Sequence, residues 1–258
     1  MSRPAGGIVM IRHHFFSVPA LRPRKKRRVT VLLPEGYDDD PEGRYPVLYL
    51  FDGQNVFFDE EAAFGVSWGL ADFMQASGLP LICVGVDNDD KNRLSEYSPF
   101  LNETEDLGRI RPKGQILLSW MADTLKPAID SLYRTIPDRE ATFICGSSMG
   151  GLMALYAVTH RADVFGSAAC LSPSLWIHPD RSLSMIDNGD FPPHTLVYMD
   201  YGAEEMANHP DNWRSLTAAA RHLLVHDCDL TFRIVPGGTH SEASWRERLP
   251  VMFACLGF

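Results

Sequence analysis

The sequence lacks several features that would define its class at once. Its apolar runs fall short of the roughly 18 consecutive residues that a membrane-spanning helix needs, and no secretory-type apolar segment is apparent near residue 1. Positive charge is also scarce, because 24 Lys and Arg stand against 33 Asp and Glu, for a formal net charge of −9. Nucleic-acid binding needs a cationic face. We therefore expect neither a nucleic acid nor a membrane as partner.

Cysteine is sparse and irregularly placed. The five cysteines form no CxxC pair, and their odd number leaves one thiol over in any pairing scheme. This pattern predicts neither a disulfide framework nor a zinc site. Cys83, Cys145 and Cys170 lie in apolar runs that are typical of small buried thiols. We expect a cytoplasmic protein that uses no metal and no organic cofactor.

Strand-like segments bounded by turn residues recur along the chain, with helical patterns between most of them. The strands are predicted at 7–18, 27–34, 45–53, 79–88, 140–146, 165–174, 194–202 and 230–238. From residue 45 onward they are continuous apolar runs, as in a parallel sheet covered on both faces. No helical pattern separates the first two, which predicts an antiparallel entry hairpin. The pattern predicts a single α/β domain over 1–258 with a mostly parallel, doubly wound sheet.

Three segments stand apart from this alternation. Residues 1–6 are expected to be flexible, and 178–194 are expected to form a long loop or a lid-like insert. Residues 22–28 read RPRKKRR, against the acidic average of the chain. Because this basic run directly precedes a strand-like segment, we interpret it as a solvated edge or loop rather than as a binding patch.

Residues 143–155 read FICGSSMGGLMAL, a turn rich in glycine and serine between two apolar segments. One frame fits the pattern G-x-S-x-G, with Ser148 between Gly146 and Gly150. A strand before it and a helix after it are the context of a nucleophile elbow. The alternative is a glycine-rich turn that binds phosphate, but no Lys follows as it would in a P-loop. We interpret Ser148 as the candidate nucleophile.

The chemistry of such a turn explains its composition. A nucleophilic serine at a strand end must pass through a tight, strained backbone so that its hydroxyl stands clear of the sheet. Glycines two positions away on either side let the strand and helix approach closely. The N-terminus of the helix makes the Met149 N–H a candidate oxyanion donor. We nominate the Gln54 N–H, in the loop after the third strand, as the second donor, with a plain Asp-Gly turn as the alternative.

A serine nucleophile needs a base and an acid that orients the base. In hydrolases with this turn the chain order is Ser, acid, His. His240 follows the last strand through a flexible PGGTH loop, and we interpret it as the base. The acid should follow the preceding strand, where spacing alone leaves Asp200, Glu204 and Glu205 as competitors.

Taken together, these segments resemble the esterases of the α/β-hydrolase superfamily. That group includes enterochelin, feruloyl and acetylxylan esterases, esterase D and the mycolyl-transferring antigens. The resemblance runs from about residue 29 to the end. It rests on these segments: YPVLYLFDGQNVF, NRLSEYSPF, SLYRTIPDREATFICGSSMGGLMAL, LSPSLW, YMDYGAEE and PGGTHSEASWRERL.

The resemblance implies an α/β-hydrolase fold and a set of roles. The family commonly places its acid three residues after the glycine that ends the strand, which here is Glu205. It also implies Ser148 and His240 as nucleophile and base, with the Gln54 and Met149 amides as oxyanion donors. The implied activity is a serine esterase acting through an acyl-enzyme on short-acyl, siderophore-type or carbohydrate-linked esters.

Substrate contacts are open at this stage. Arg93, Tyr97, Trp176 and Trp245 are candidates, because the segments that carry them match the family and are predicted near the strand ends; Trp245 could instead pack behind the base. Many relatives read G-H-S-M-G-G followed by G-A-L, whereas this chain has Ser147 and LMAL, so the substrate subclass is not defined. An acyltransferase on the same scaffold, or a non-catalytic binding protein, are the alternatives.

Overall fold

The structure is a computed structural model that describes residues 9–104, 108–208 and 212–258. The segment 1–6, expected to be flexible, lies outside the described residues. The strands are β1 (Met10–Val18), β2 (Arg22–Leu33), β3 (Val47–Phe51), β4 (Ile82–Val86), β5 (Asn102–Thr104), β6 (Gly108–Ile110), β7 (Thr142–Ser147), β8 (Ser167–Leu171), β9 (Leu196–Gly202) and β10 (Asp229–Val235). The α-helices are α1 (Leu70–Ser77), α2 (Arg93–Glu96), α3 (Gly114–Trp120), α4 (Lys126–Leu132), α5 (Met149–His160), α6 (Pro179–Asp187), α7 (Ala203–Asn208), α8 (Asn212–Val225) and α9 (Glu242–Cys255).

An eight-stranded sheet runs through the molecule in the order β1-β2-β4-β3-β7-β8-β9-β10. The β1–β2 and β2–β4 pairs are antiparallel, and every later pair is parallel. This arrangement confirms the predicted mostly parallel sheet with antiparallel N-terminal strands. Because parallel strands end at the same edge, the loops after β3, β7, β8, β9 and β10 meet there.

The sheet is covered by helices on both faces. Alternate side chains of a strand point to opposite faces, so Tyr49 and Phe51 join the core beneath α3, α5, α6 and α8. Leu48 and Leu50 join the other core, which contains residues of α1 and α9. Burial on both faces explains why these strands are continuous apolar runs. The predicted buried thiols at positions 83, 145 and 170 lie within these cores.

Three features differ from expectation. Residues 179–187 form the helix α6 rather than a loop, because Pro179 begins it and a buried face that includes Met185 and Ile186 packs toward α8. The short antiparallel pair β5–β6 was not predicted. The basic run 22–28 is part of strand β2 rather than a loop.

The end of the basic run nearest residue 28 is paired with carboxylates, whereas most of the run is exposed. Arg27 is buried and pairs with Glu96 at 2.7 Å, and Arg28 pairs with Asp87 at 2.8 Å. These contacts join β2 to the segment that follows β4. A solvated edge is therefore the wrong description of this end of the run.

Among the helices of the described residues, none is long and apolar enough to cross a bilayer.

Candidate active site

Ser148 occupies a strained turn between β7 and α5. Its backbone has φ 57° and ψ −122°, a conformation that is unfavourable for a residue with a side chain. A Cβ atom on Gly146 would lie 2.5 Å from the carbonyl carbon of Gly150, and one on Gly150 would lie 3.1 Å from Phe51 Cβ. Close backbone approach therefore requires glycine at position 146, which agrees with the predicted reason for it, whereas a side chain at position 150 would be crowded by Phe51.

Backbone hydrogen bonds hold this turn on both sides. The Ser148 N–H donates to the Leu171 carbonyl at 2.9 Å, and the Ser148 carbonyl accepts from Leu152 and Ser174. Met149 is the first residue of α5. The first N–H groups of a helix have no partner within it, so the helix start offers donors beside the Ser148 side chain.

The hydroxyl of Ser148 lies against a second hydroxyl. Ser148 Oγ and Ser174 Oγ are 3.2 Å apart, and His240 lines the same two cavities as Ser148. Among the described residues, Ser148 makes its side-chain hydrogen bond with Ser174 and makes none with His240, although a nucleophile and its base need to come within hydrogen-bonding reach. Catalytic hydrogen bonds are often long or misaligned in enzymes without substrate.

His240 is oriented by a buried carboxylate. Its Nδ1 lies 2.7 Å from Glu205 Oε2. Burial raises the pKa of Glu205, but hydrogen bonds from His240, Ser172 and the Gly202 N–H outweigh burial and leave this pKa below its ordinary value. An ionised carboxylate only accepts, so the proton of a neutral imidazole lies on Nδ1 and Nε2 is the acceptor.

The structure separates the three candidate acids by their surroundings. Glu205 contacts His240, whereas Asp200 is fully buried and accepts hydrogen bonds from Arg248 at 2.8 Å and from the Tyr198 hydroxyl at 2.7 Å. Glu204 is exposed and lines one of the cavities at Ser148. The position of Glu205 in α7, directly after β9, therefore brings that carboxylate to the imidazole.

Arg248 is a buried cation that the sequence analysis missed. It is 2 % exposed, and its guanidinium contacts Asp200 at 2.8 Å and Glu205 at 3.3 Å. It also donates to Ser172 Oγ and to the Thr239 carbonyl, each at 2.9 Å. One signal was present, because Arg248 shares a helical stripe with the apolar positions 245, 249 and 252. A charge in such a stripe indicates a buried ion pair.

The loop that carries Gln54 is held by polar contacts. Asp52 adopts a left-handed conformation, with φ 57°, and its N–H donates to the Tyr97 hydroxyl at 2.9 Å. Arg93 binds both oxygens of the Asp52 carboxylate at 2.8 Å. The Gln54 side chain accepts from the Asn88 N–H at 3.1 Å. These contacts fix the short turn 53–55 beside Ser148.

The four candidate substrate contacts are placed differently. Tyr97 is 1 % exposed and lines neither cavity at Ser148, so its placement does not support direct contact with a substrate. Arg93 lines the larger cavity, but its guanidinium is occupied by Asp52. Trp245 also lines that cavity, and its ring lies edge-on to His240 with the centroids 5.0 Å apart. Trp176 lines the smaller cavity.

Two cavities meet at Ser148 and His240. The larger has a volume of about 450 Å³ and the smaller about 300 Å³. The larger is lined by Asp52, Gln54, Asn55, Ala63, Phe64, Trp68, Asn88, Asp90, Arg93, Ser147, Ser148, His240, Glu242 and Trp245. The smaller is lined by Ser148, Ser174, Trp176, Tyr201, Glu204, Glu205, Asn212, Thr239 and His240. A small ester centred on Ser148 would extend into both. Within the described ranges, no group of three or more His, Cys, Asp or Glu is arranged to hold a metal ion.

Comparison with known families identifies the family of this chain. A sequence model of the Esterase family, described as "Putative esterase", matches residues 21–256. The chain belongs to this family. Membership in an esterase family supports a carboxylic ester hydrolase as the general activity.

Individual relatives agree with this assignment. The chain is 28% identical over 190 residues to the uncharacterized protein YbbA of Bacillus subtilis (strain 168), and the match covers 69% of each chain. It is 30% identical over 161 residues to the iron(III) salmochelin esterase of Escherichia coli O6:H1, covering 61% of this chain. The match spans only 34% of that relative's length.

A solved structure shows the same fold. The IroE-like serine hydrolase from Shewanella oneidensis superposes with a TM-score of 0.74 at 22% identity, over 96% of this chain and 78% of that one. At this identity the likeness speaks for the fold alone. The α/β-hydrolase architecture expected from the sequence motifs is thus confirmed.

Proposed function

We propose that this protein is a serine esterase, in which Ser148, His240 and Glu205 form the catalytic triad. The observation that carries the proposal is the pairing of a strained Ser148 with a carboxylate-oriented imidazole at the same two cavities. Strain of this kind persists only where the surrounding structure imposes it. Ser148 combines a positive φ with a ψ of −122°, and it follows by two residues a glycine that has no room for a Cβ.

The first half-reaction forms an acyl-enzyme. The Ser148 hydroxyl turns from Ser174 toward His240 and attacks the ester carbonyl carbon, while His240 Nε2 takes its proton. The carbonyl oxygen becomes an oxyanion that accepts from the Met149 and Gln54 amides, and each donor is worth about 3 kcal/mol by analogy with measured cases. Collapse expels the alcohol, which receives the proton from His240.

The second half-reaction releases the acid. A water molecule gives its proton to His240 and attacks the acyl carbon, and collapse of the new tetrahedral intermediate returns the proton to Ser148. Glu205 stays ionised throughout and stabilises the imidazolium formed in each half. The low pKa of Glu205 suits this role, since a protonated acid could not balance that charge.

The neighbouring serines provide the test of this assignment. Ser148→Ala should lower kcat/KM for p-nitrophenyl butyrate by about 10⁴- to 10⁶-fold, because the nucleophile is lost. Ser147→Ala is the matched variant one residue away, and it should retain at least about a tenth of the turnover. Circular dichroism establishes that both variants fold. Turnover by a folded Ser148→Ala variant at wild-type rate would refute the proposal.

A further inference from the structure

The larger cavity at Ser148 carries negative charge that the protein does not neutralise. Its charged lining residues are Asp52, Asp90, Arg93 and Glu242, in addition to His240. Arg93 is occupied by its two-point contact with Asp52, so the two charges of that pair cancel. Asp90 and Glu242 remain, and no salt bridge links either of them to another residue in the described part of the chain.

Among the carboxylates that line the two cavities, Glu242 lies nearest to His240 in the sequence. It begins α9, two residues after His240, and is half-buried at the cavity wall. Burial and the neighbouring Asp52 raise the pKa of Glu242, while Arg93 and His240 act in the opposite direction. A half-buried carboxylate held in these surroundings is destabilised when ionised, and a cationic group bound in the cavity would relieve that cost.

Aromatic rings border the same space. Phe64 stands at the cavity with 77 % of its surface exposed, and Trp68 and Trp245 line the inner wall. Aromatic faces attract ammonium groups through the ring quadrupole, most strongly where water is excluded. Carboxylates and aromatic rings therefore favour the same kind of ligand group.

The smaller cavity has the same sign of charge. Glu204 and Glu205 line it, and none of its lining residues is a Lys or Arg. Glu205 is occupied by His240, which leaves Glu204 facing the cavity. An ester attacked at Ser148 would thus have negative potential on both sides of the scissile bond.

Positive side chains lie farther from the nucleophile. A third cavity, the basic annex, is lined by Lys25, Lys26, Arg27 and Arg28 and includes neither Ser148 nor His240. It shares Gln54, Ala63, Asn88 and Asp90 with the larger cavity. Much of its charge is neutralised, because Lys25, Arg27 and Arg28 form salt bridges with carboxylates. An anionic group could be accommodated in the annex, but not next to the reacting bond.

We propose that the site prefers esters that carry a positive charge near the scissile bond, and that Glu242 and Glu204 determine this preference. The inference rests on the proposed esterase function and names its substrate class: small carboxylic esters with a cationic amine or quaternary ammonium group a few bonds from the ester oxygen. Attraction between such a group and one carboxylate about 6–8 Å away corresponds to roughly a fivefold to tenfold gain in kcat/KM.

Three esters of one acid test the preference. Butyrylcholine carries a quaternary ammonium group, 3,3-dimethylbutyl butyrate is its uncharged isostere, and 3-sulfopropyl butyrate is an anionic ester of similar length. We expect kcat/KM to fall in that order, with the cationic ester about fivefold to tenfold above the isostere and the advantage shrinking as salt is raised. Equal values for the cation and its isostere, or an advantage for the sulfonate, would overturn the inference.

Charge-removing variants locate the source of the preference. Glu242→Gln should lower the butyrylcholine-to-isostere ratio severalfold if the choline group occupies the larger cavity, and Glu204→Gln should do so if it occupies the smaller. Asp180→Asn is the control, since it removes one exposed carboxylate on α6 that lines neither cavity. Either loss supports the inference, and an unchanged ratio in both glutamate variants contradicts it.

The uncharged isostere separates the two proposals. If none of the three esters, nor p-nitrophenyl butyrate, is hydrolysed, the esterase function itself fails. If the isostere is hydrolysed at a rate equal to or above that of butyrylcholine, the function stands and only the charge preference is wrong.

Discussion

The turn at Ser148 and the cluster around His240 are built in opposite ways. The turn is made from chain neighbours, since Gly146 and Gly150 approach closely across the three residues between them. The cluster is assembled from distant segments, and the Arg248–Ser172 contact alone joins residues 76 positions apart. The first depends on steric fit of the backbone, the second on buried charges that satisfy one another.

This difference determines how each part can fail. The turn at Ser148 has no room for an added Cβ at Gly146, but few residues contact it. A substitution there therefore disturbs only the nearby structure. In the cluster, Arg248 neutralises Asp200 and Glu205 while Ser172 links Glu205 to the Trp245 indole. Removing one member therefore leaves buried polar groups of several others without partners.

The largest expected effect comes from the member of the cluster that touches the reacting atoms. His240→Ala should reduce kcat/KM for p-nitrophenyl butyrate by about 10⁴-fold or more, because no base remains for Ser148. His222→Ala, in α8 and outside both cavities, is the histidine control and should keep wild-type turnover. A folded His240→Ala variant with more than a tenth of the activity would break the assignment.

Arg248→Met should cost about 3–5 kcal/mol of unfolding free energy, since two carboxylates lose their buried counter-charge. Arg246→Met, two residues away on α9, removes a half-exposed pair with Asp59 and should cost much less, because solvent screens that pair. Urea denaturation measures both. Equal losses in the two variants would contradict the buried role of Arg248.

The same substitution has a signature that a merely structural residue would lack. Without Arg248, the negative potential that Glu205 exerts at His240 is stronger, so the acid limb of the kcat/KM profile should move to higher pH. Asp200→Asn added to Arg248→Met removes one of the uncompensated charges and should recover part of the stability. An unshifted profile would limit Arg248 to a structural function.

Adding one methyl group at Gly146 tests the steric fit of the turn at Ser148. Gly146→Ala would place its Cβ 2.5 Å from the Gly150 carbonyl carbon, and we expect a loss of about 3 kcal/mol, or roughly 6–12 °C in Tm. Gly78→Ala is the comparison, because Gly78 has φ 63° but no atom within 4 Å of the added group. It should lose only about 1–2 kcal/mol, from backbone strain alone.

Tyr97→Phe should have a smaller effect, which reaches the site through the Gln54 loop. Loss of the hydroxyl leaves the buried Asp52 N–H without its acceptor, at about 1–2 kcal/mol, and loosens the turn that presents the Gln54 amide. We expect kcat to fall about tenfold with little change in KM. Tyr49→Phe is the matched control, because the buried Tyr49 hydroxyl has no hydrogen-bond partner within the described part of the chain and its removal should be neutral.

The smallest effect concerns Glu242 and has a definite pH dependence. Its raised pKa means that the folded protein disfavours the ionised form. Below the unfolded pKa of roughly 4.3 this has no effect on stability, and above the folded pKa the destabilisation is complete. Glu242→Gln should thus raise Tm at pH 7–8 by no more than about 2 °C, with the gain vanishing toward pH 4.

A neighbouring carboxylate provides the control for this last prediction. Glu247 is exposed on the same helix, so Glu247→Gln should give no gain that depends on pH in this way. A gain for Glu242→Gln that grows toward acid pH would reverse the sign of the argument and refute it.

The sequence allowed prediction of those features that depend on local pattern. Ser148 and its glycines follow from backbone sterics within five residues, and the main strands from residue 45 onward follow from apolar runs. The helix α6 was not predicted, because its segment is rich in Pro, Asp and Ser. Its buried face is recognisable only from its packing toward α8.

The charge network could be predicted only in part. Spacing from the end of β9 left three candidate acids, and the family pattern selected Glu205. Asp200 is instead buried against Arg248, and spacing could not reveal this because the contact joins residues 48 positions apart. The helical stripe 245, 248, 249 and 252 indicates that Arg248 is buried, but it does not identify Asp200 and Glu205 as its partners. Tyr97 was a candidate substrate contact because its segment was predicted near the strand ends; the hydrogen bond from the Asp52 N–H to its hydroxyl, which the sequence pattern does not reveal, accompanies its burial.

The most direct measurement of the central claim is peptide mapping by mass spectrometry after labelling with a fluorophosphonate. The account predicts one covalent adduct, on Ser148, formed rapidly by the wild type and at least about a hundredfold more slowly by His240→Ala. An adduct on a different residue, or labelling of Ser148 at the same rate without His240, would contradict it.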